Sequence, residues 1–174
     1  MKNINLDLSR TVEPYEVSFE KTVIENWPLW RILTQFDDGI IIWVTGGANG
    51  NNNDAYYKCA LEYHGNYRLV MGFCEVHTAN KAMLFGLREA LCRIKKPSKI
   101  YVICGTDLGF KRGFSCKGPN WELIQEVLQV TLQQNCFLTF AFYKGGTDAI
   151  KNHLKHISNK EQADHNSIPV TIKA

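Results

Sequence analysis

The run Ile40-Ile41-Ile42-Trp43-Val44 constrains this chain more than any other stretch. Consecutive large apolar residues with high β-propensity fit a strand buried on both faces, as in the middle of a sheet. The run breaks at Thr45-Gly46-Gly47, and a glycine- and asparagine-rich loop is expected from Gly46 to Asn53. Open α/β sheets present their working residues at the C-terminal ends of such strands. Here the position that would present a carboxylate or a hydroxyl is Gly46.

The rest of the chain supplies partners for that strand. Asp37-Asp38-Gly39 is a turn signal before it. Two β-rich runs follow, Ala55 to His64 and Tyr67 to Val76, joined by His64-Gly65-Asn66 as a hairpin turn. Thr78 caps a helix whose apolar stripe is Met83, Leu87, Ala90, Leu91 and Ile94. Ile100-Tyr101-Val102-Ile103 reads as another buried strand, ending at Gly105-Thr106-Asp107. A second amphipathic helix runs from Trp121 to about Gln134, with Asn120 as its cap. Phe137 to Tyr143 is a fifth strand, closed by Lys144-Gly145-Gly146, and a polar helical segment starts at Thr147. In that segment His153 and His156 read as surface histidines. This order implies an α/β domain with a mixed five-stranded sheet: three antiparallel strands, then αβ units, with flanking helices. Residues 39–166 are expected to form it. Residues 1–38 are read as an N-terminal arm partly packed on the domain, and residues 167–174 as a tail. Trp27 and Trp30 in the arm either pack back or offer a contact point for a protein partner.

No stretch has the roughly 18 consecutive apolar residues of a membrane span. The N-terminus shows no secretory signal, and six dispersed cysteines without a Cys-x-x-Cys pair suit a reducing compartment. An intracellular protein, cytoplasmic or nuclear, is expected. The net charge of +3 is compatible with nucleic-acid binding without demonstrating it.

Residues at the joints of this order resemble the ribonuclease H family, from about Gly39 to Asp164. Its first strand ends in Thr-Asp-Gly-Ser before a Gly/Asn loop, matched here by Thr45-Gly46-Gly47 and Asn49-Gly50-Asn51. Its first helix opens Thr-x-Asn-x-x-Glu-Leu, matched by Thr78-Ala79-Asn80-Lys81-Ala82-Met83-Leu84. The fourth strand's Thr-Asp-Ser becomes Thr106-Asp107-Leu108, and Lys-Gly-His becomes Lys144-Gly145-Gly146. A helix opening like Asn120-Trp121-Glu122-Leu123 precedes the fifth strand. The closing Asn-x-x-x-Ala-Asp is matched by Asn159 to Asp164. The chain resembles retroelement- or virus-type versions, because it lacks the long basic insertion of some cellular enzymes.

The family cleaves RNA in RNA–DNA hybrids with two divalent ions held by carboxylates. Carried onto this chain, the bridging aspartate is Gly46, the helix glutamate is Met83 and the mobile histidine is Gly146. Asp107 and Asp164 remain as catalytic and metal-binding remnants. Glu75, Glu89 and Asp54 are nearby acids without a matching position. The resemblance therefore implies a catalytically degenerate domain without a cofactor. Its expected role is binding nucleic acid, either RNA/DNA hybrid or double-stranded RNA, or a protein partner. Gly47, Asn49, Asn51, Thr78, Asn80, Lys111 and Arg112 are the expected nucleic-acid contacts, with Lys117 nearby. The alternative is an Mg²⁺- or Mn²⁺-dependent endoribonuclease with a reduced site on Asp107 and Asp164.

Overall fold

The computed structural model describes residues 9–12, 17, 19–49 and 54–166, apart from the side chains at 19, 20, 111 and 161–166. In chain order the elements are β1 (Phe19–Glu25), α1 (Leu29–Gln35), β2 (Ile40–Asn49), β3 (Asp54–Tyr63) and β4 (Asn66–Glu75). They continue with α2 (Ala79–Leu91), β5 (Lys99–Cys104), α3 (Phe110–Gly113), α4 (Trp121–Gln133), β6 (Phe137–Lys144) and α5 (Thr147–Asn166). The strands form one mixed sheet in the order β1-β6-β5-β2-β3-β4.

The apolar run at Ile40 lies at the centre, as its composition requires. Strand β2 pairs parallel with β5 and antiparallel with β3, and Ile42 and Trp43 are fully buried. On one face α2 and α4 pack through Leu84, Leu87, Leu91, Ile124, Val127 and Leu128. The stripe expected on α2 is buried along its whole length, and Thr78 caps that helix by accepting from the Lys81 amide at 3.3 Å. Asn120 makes no side-chain cap for α4. On the opposite face α5 lays Ile150, His153, Leu154 and Ile157 over Trp43, Ala60 and Tyr143.

Two differences from the sequence reading matter. The sheet has six strands, not five. The extra one, β1, runs parallel to β6 in continuous register from Phe19 opposite Leu138 to Glu25 opposite Lys144. Ile24 is buried beside Tyr143, and Glu25 pairs with Lys144 at 3.0 Å. The segment is short, and charged residues interrupt its apolar ones, so its strand signal is weak; pairing with β6 makes the strand. Next to it, Trp27 stacks on Phe36 with 6.3 Å between ring centroids, and Arg31 lies over its indole, whereas Trp30 is exposed.

The second difference is that β2 continues through the glycines to Asn49, opposite Asp54 on β3. What reads as a loop from Gly46 is strand to Asn49, because antiparallel pairing supplies the ladder that glycine's low propensity does not favour. The aspartates before β2 do form a turn. Asp38 accepts from Lys99 and Tyr101 at 2.6 Å each, which holds its carboxyl below the usual carboxylate range. Among the described residues no helix is long and apolar enough to cross a membrane.

Candidate functional site

The parallel pairing of β2 with β5 stops at Trp43 opposite Ile103. Beyond that point β2 stays with β3, while β5 turns away through Gly105. A crevice opens where neighbouring connections leave the sheet in opposite directions, as ligand sites in such sheets do. Gly46, the start of α2, Asp107 and the loop before α4 surround it.

Gly46 and Met83 meet across this crevice. A Cβ on Gly46 would lie 2.8 Å from the Tyr56 carbonyl oxygen and 3.0 Å from Met83 Cγ. Met83 is itself buried, on the core-facing stripe of α2. The two positions where the resemblance expects carboxylates are thus adjacent, and a thioether against a glycine backbone fills the space between them. Gly146 is equally closed, because a Cβ there would fall 2.2 Å from the Tyr143 ring, whose hydroxyl donates to the Trp27 carbonyl.

Asp107 sits at the opposite lip, with its side chain about half exposed. Its Oδ1 accepts from the Gly109 amide at 3.1 Å and its carbonyl accepts from Phe110 N, a turn that Leu108 completes at φ +52. Its Oδ2 lies 4.0 Å from Lys21 Nζ, contributed by β1. Lys21 crosses the Phe142 ring at 5.6 Å to get there.

Asp107 also lines a cleft of about 400 Å³ with Asn80, Gly109, Arg112, Lys117, Gly118, Pro119 and Asn120. Thr106 Oγ1 donates to Asn80 Oδ1 at 3.4 Å, tying the start of α2 to the end of β5. The Lys117 amide donates to the Arg112 carbonyl at 2.8 Å, folding the loop back. Gly118, at φ +89, lets that loop pass over the Arg112 stem. Arg112 and Lys117 are exposed, and neither has a carboxylate partner among the described residues. The cleft therefore pairs two free cations with amide and backbone donors, a combination suited to a phosphate.

The other expected residues are distributed differently. Asp164 lies on α5, which starts beside Gly105 and has reached the β3–β4 hairpin end of the sheet by Lys160, whose ammonium sits over Tyr67. Asp164 is a turn further on, so the structure places it and Asp107 at opposite ends of the sheet. Its match to the family's closing motif fails because β6 passes into α5 after only Gly145 and Gly146. The acid in the first turn of α5, near the crevice, is Asp148, which follows Thr147 at the Gly105 contact. Thr147-Asp148, at the start of the segment read as helical, is the sequence signal for it.

Gly47 faces away from the crevice beneath the Tyr56 ring, and Asn49 is exposed at the end of β2. Asn51 lies outside the described residues. Lys111 is in α3, with its side chain also outside them. Asp54 and Glu75 pair across β3 and β4, and strand alternation turns them to the face opposite Gly46. Glu89 is held by Arg88 at 3.0 Å. His153 is not a surface histidine: it is buried, 3.0 Å from Glu62 and edge-on to Trp43.

Mg²⁺ and Mn²⁺ take carboxylate, carbonyl and water oxygens, usually with more than one carboxylate in a hydrolytic centre. With a glycine and a buried thioether at two positions, the carboxylates near the crevice are Asp107, already shared by an amide and an ammonium, and Asp148 at the start of α5, a sparse donor set for such a centre. Among the described residues no group of three or more His, Cys, Asp or Glu is placed to hold a metal.

No protein-family model matches this sequence, and no curated protein matches it. Solved structures do. The chain is similar to LC11-RNase H1 in complex with RNA/DNA hybrid, at 21% identity and TM-score 0.53, over 62% of this chain and 88% of that one. A second structure of LC11-RNase H1, isolated from compost by a metagenomic approach, aligns at 19% identity and TM-score 0.52, over 67% and 92%. The fold is RNase H-like, a mixed α/β fold with a three-stranded antiparallel section, as the motif order implies.

Proposed function

We propose that this chain is a nucleic-acid-binding module on an RNase H-like fold whose hydrolytic centre has been replaced by packing. The observation that carries this reading is the contact between Gly46 and Met83. It occupies the place of two metal-holding carboxylates, while the neighbouring Asn80–Arg112–Lys117 cleft keeps donors and positive charge. The solved structure of similar fold holding an RNA/DNA hybrid makes a hybrid duplex the first ligand to test. Arg112 and Lys117 receive backbone phosphates, and Asn80, at the start of α2, meets the sugar or base edge. The unpaired cysteines suit a reducing, intracellular setting.

The test is binding of a short labelled RNA/DNA hybrid across a salt series, with cleavage followed in Mg²⁺ and in Mn²⁺. Binding without cleavage is expected. The Arg112→Ala and Lys117→Ala variants should each weaken binding and reduce the salt slope by about 0.9, the increment for one phosphate contact. No binding at low salt would overturn the reading and leave a protein-contact role. Metal-dependent cleavage abolished by Asp107→Asn would replace it with an enzyme.

A further inference from the structure

Resting on that reading, we infer that Lys21 is the resident cation of this site, standing where a divalent ion would otherwise neutralise Asp107. The N-terminal strand supplies it, so the site is complete only when β1 is in the sheet.

Lys21 pairs in register with Phe140, on the sheet face that carries α4, while β6 lies between β1 and β5. Its side chain must pass across β6 to reach the end of β5. It does so over the Phe142 ring, and the ammonium arrives 4.0 Å from Asp107 Oδ2. The side chain is 31% exposed, so the charge is partly held by protein and still open to a ligand. Oδ1 accepts from the Gly109 amide at 3.1 Å, which favours the orientation that presents Oδ2 to Lys21.

A lone carboxylate beside a phosphate-binding cleft repels the ligand. In a metal-dependent site the ion reverses that sign. Here Lys21, beside the cleft rather than in its lining, offsets Asp107, the carboxylate that lines it together with Arg112 and Lys117. Duplex binding at this site is therefore independent of divalent metal, and Asp107 opposes it. That sign separates a resident ammonium from a metal site.

The experiment measures hybrid affinity by fluorescence anisotropy, in EDTA and in Mg²⁺, for the parent, Lys21→Ala, Lys21→Arg, Asp107→Asn and Arg112→Ala. The melting midpoint of each variant is recorded as a folding control. Expected is parent binding that EDTA leaves unchanged, with Lys21→Ala about fivefold weaker, the upper end for a partly exposed ion pair. Its salt slope should fall by less than the roughly 0.9 of a full phosphate contact, because Lys21 is shared with Asp107. Lys21→Arg should bind like the parent, which guards against a merely structural loss, and Asp107→Asn should bind two- to fivefold tighter, or roughly so. If Arg112→Ala weakens binding and Lys21→Ala does not, this inference fails while the proposed function stands. Binding that needs Mg²⁺ and is lost in Asp107→Asn overturns it as well. A parent that does not bind at low salt removes the proposed function itself.

Discussion

At the scale of single residues, Gly46 explains why the crevice has its present chemistry. Its Cβ position is closed by the Tyr56 carbonyl as well as by Met83, so steric exclusion acts before charge does. A glycine-to-alanine change at an unstrained, open position stabilises by about 0.4–1 kcal/mol through the unfolded chain. Here the sign reverses. Gly46→Ala and Gly46→Asp should both destabilise by about 1–3 kcal/mol, the usual cost of overpacking. Urea midpoints measure this, and near-equal losses for the two variants identify crowding as the cause. Met83→Ala in the Gly46→Ala background should recover part of the loss from Gly46→Ala only if the thioether shares the clash with the carbonyl. The replacement of an expected aspartate by glycine is legible in the sequence. That the vacated space had been taken up is not, because it depends on a residue 37 positions away, beyond the β3–β4 hairpin and on α2.

At the scale of elements, β2, β5 and β6 are legible as apolar runs, β3 and β4 as β-rich runs about a hairpin turn, and α2 and α4 by apolar residues that recur every three and four. The helix α5 is legible as a helix, but its role as a clamp is not. Its buried face carries His153, which shares the Glu62 carboxylate with the Trp43 indole N–H at 2.8 Å. A histidine on a lysine-rich segment gives no sign that a glutamate on β3 awaits it. His153→Leu should leave Glu62 with one partner in a mostly buried place, costing about 1–3 kcal/mol. His153→Gln, which keeps a donor, should cost less. Equal unfolding midpoints for the two variants would show that ring packing on Trp43, not the hydrogen bond, is what α5 contributes.

At the scale of the whole molecule, the described residues before β2 are integral to the fold. Besides β1 and the Tyr143–Trp27 contact, Val12 N donates to Gln125 Oε1 at 2.7 Å and Gln129 Nε2 donates to the Arg10 carbonyl at 2.7 Å. Those glutamines are buried on α4, so the N-terminal backbone satisfies groups that would otherwise be stranded. A chain restricted to residues 39–166 would bare the β6 edge and lose these partners. It should melt well below the full chain and self-associate through that edge, as size-exclusion chromatography and thermal melts would show. The family resemblance spans only the central region, and long-range pairing of a weak strand has no local signature, so this dependence could not be read from sequence.

The β1–β6 pairing also sets an order of events in time. Strand β1 emerges early in synthesis, yet its partner β6 is the last of the described strands to be made. At about 5–20 residues per second, the roughly 120 residues between Phe19 and Leu138 take about 6–24 s to appear. For that interval the nascent chain holds β1 without the strand that pairs it, so Lys21 is not yet held against Asp107. Lys21 therefore joins the site late, and a nascent chain is expected to bind through the cleft more weakly until β1 pairs with β6.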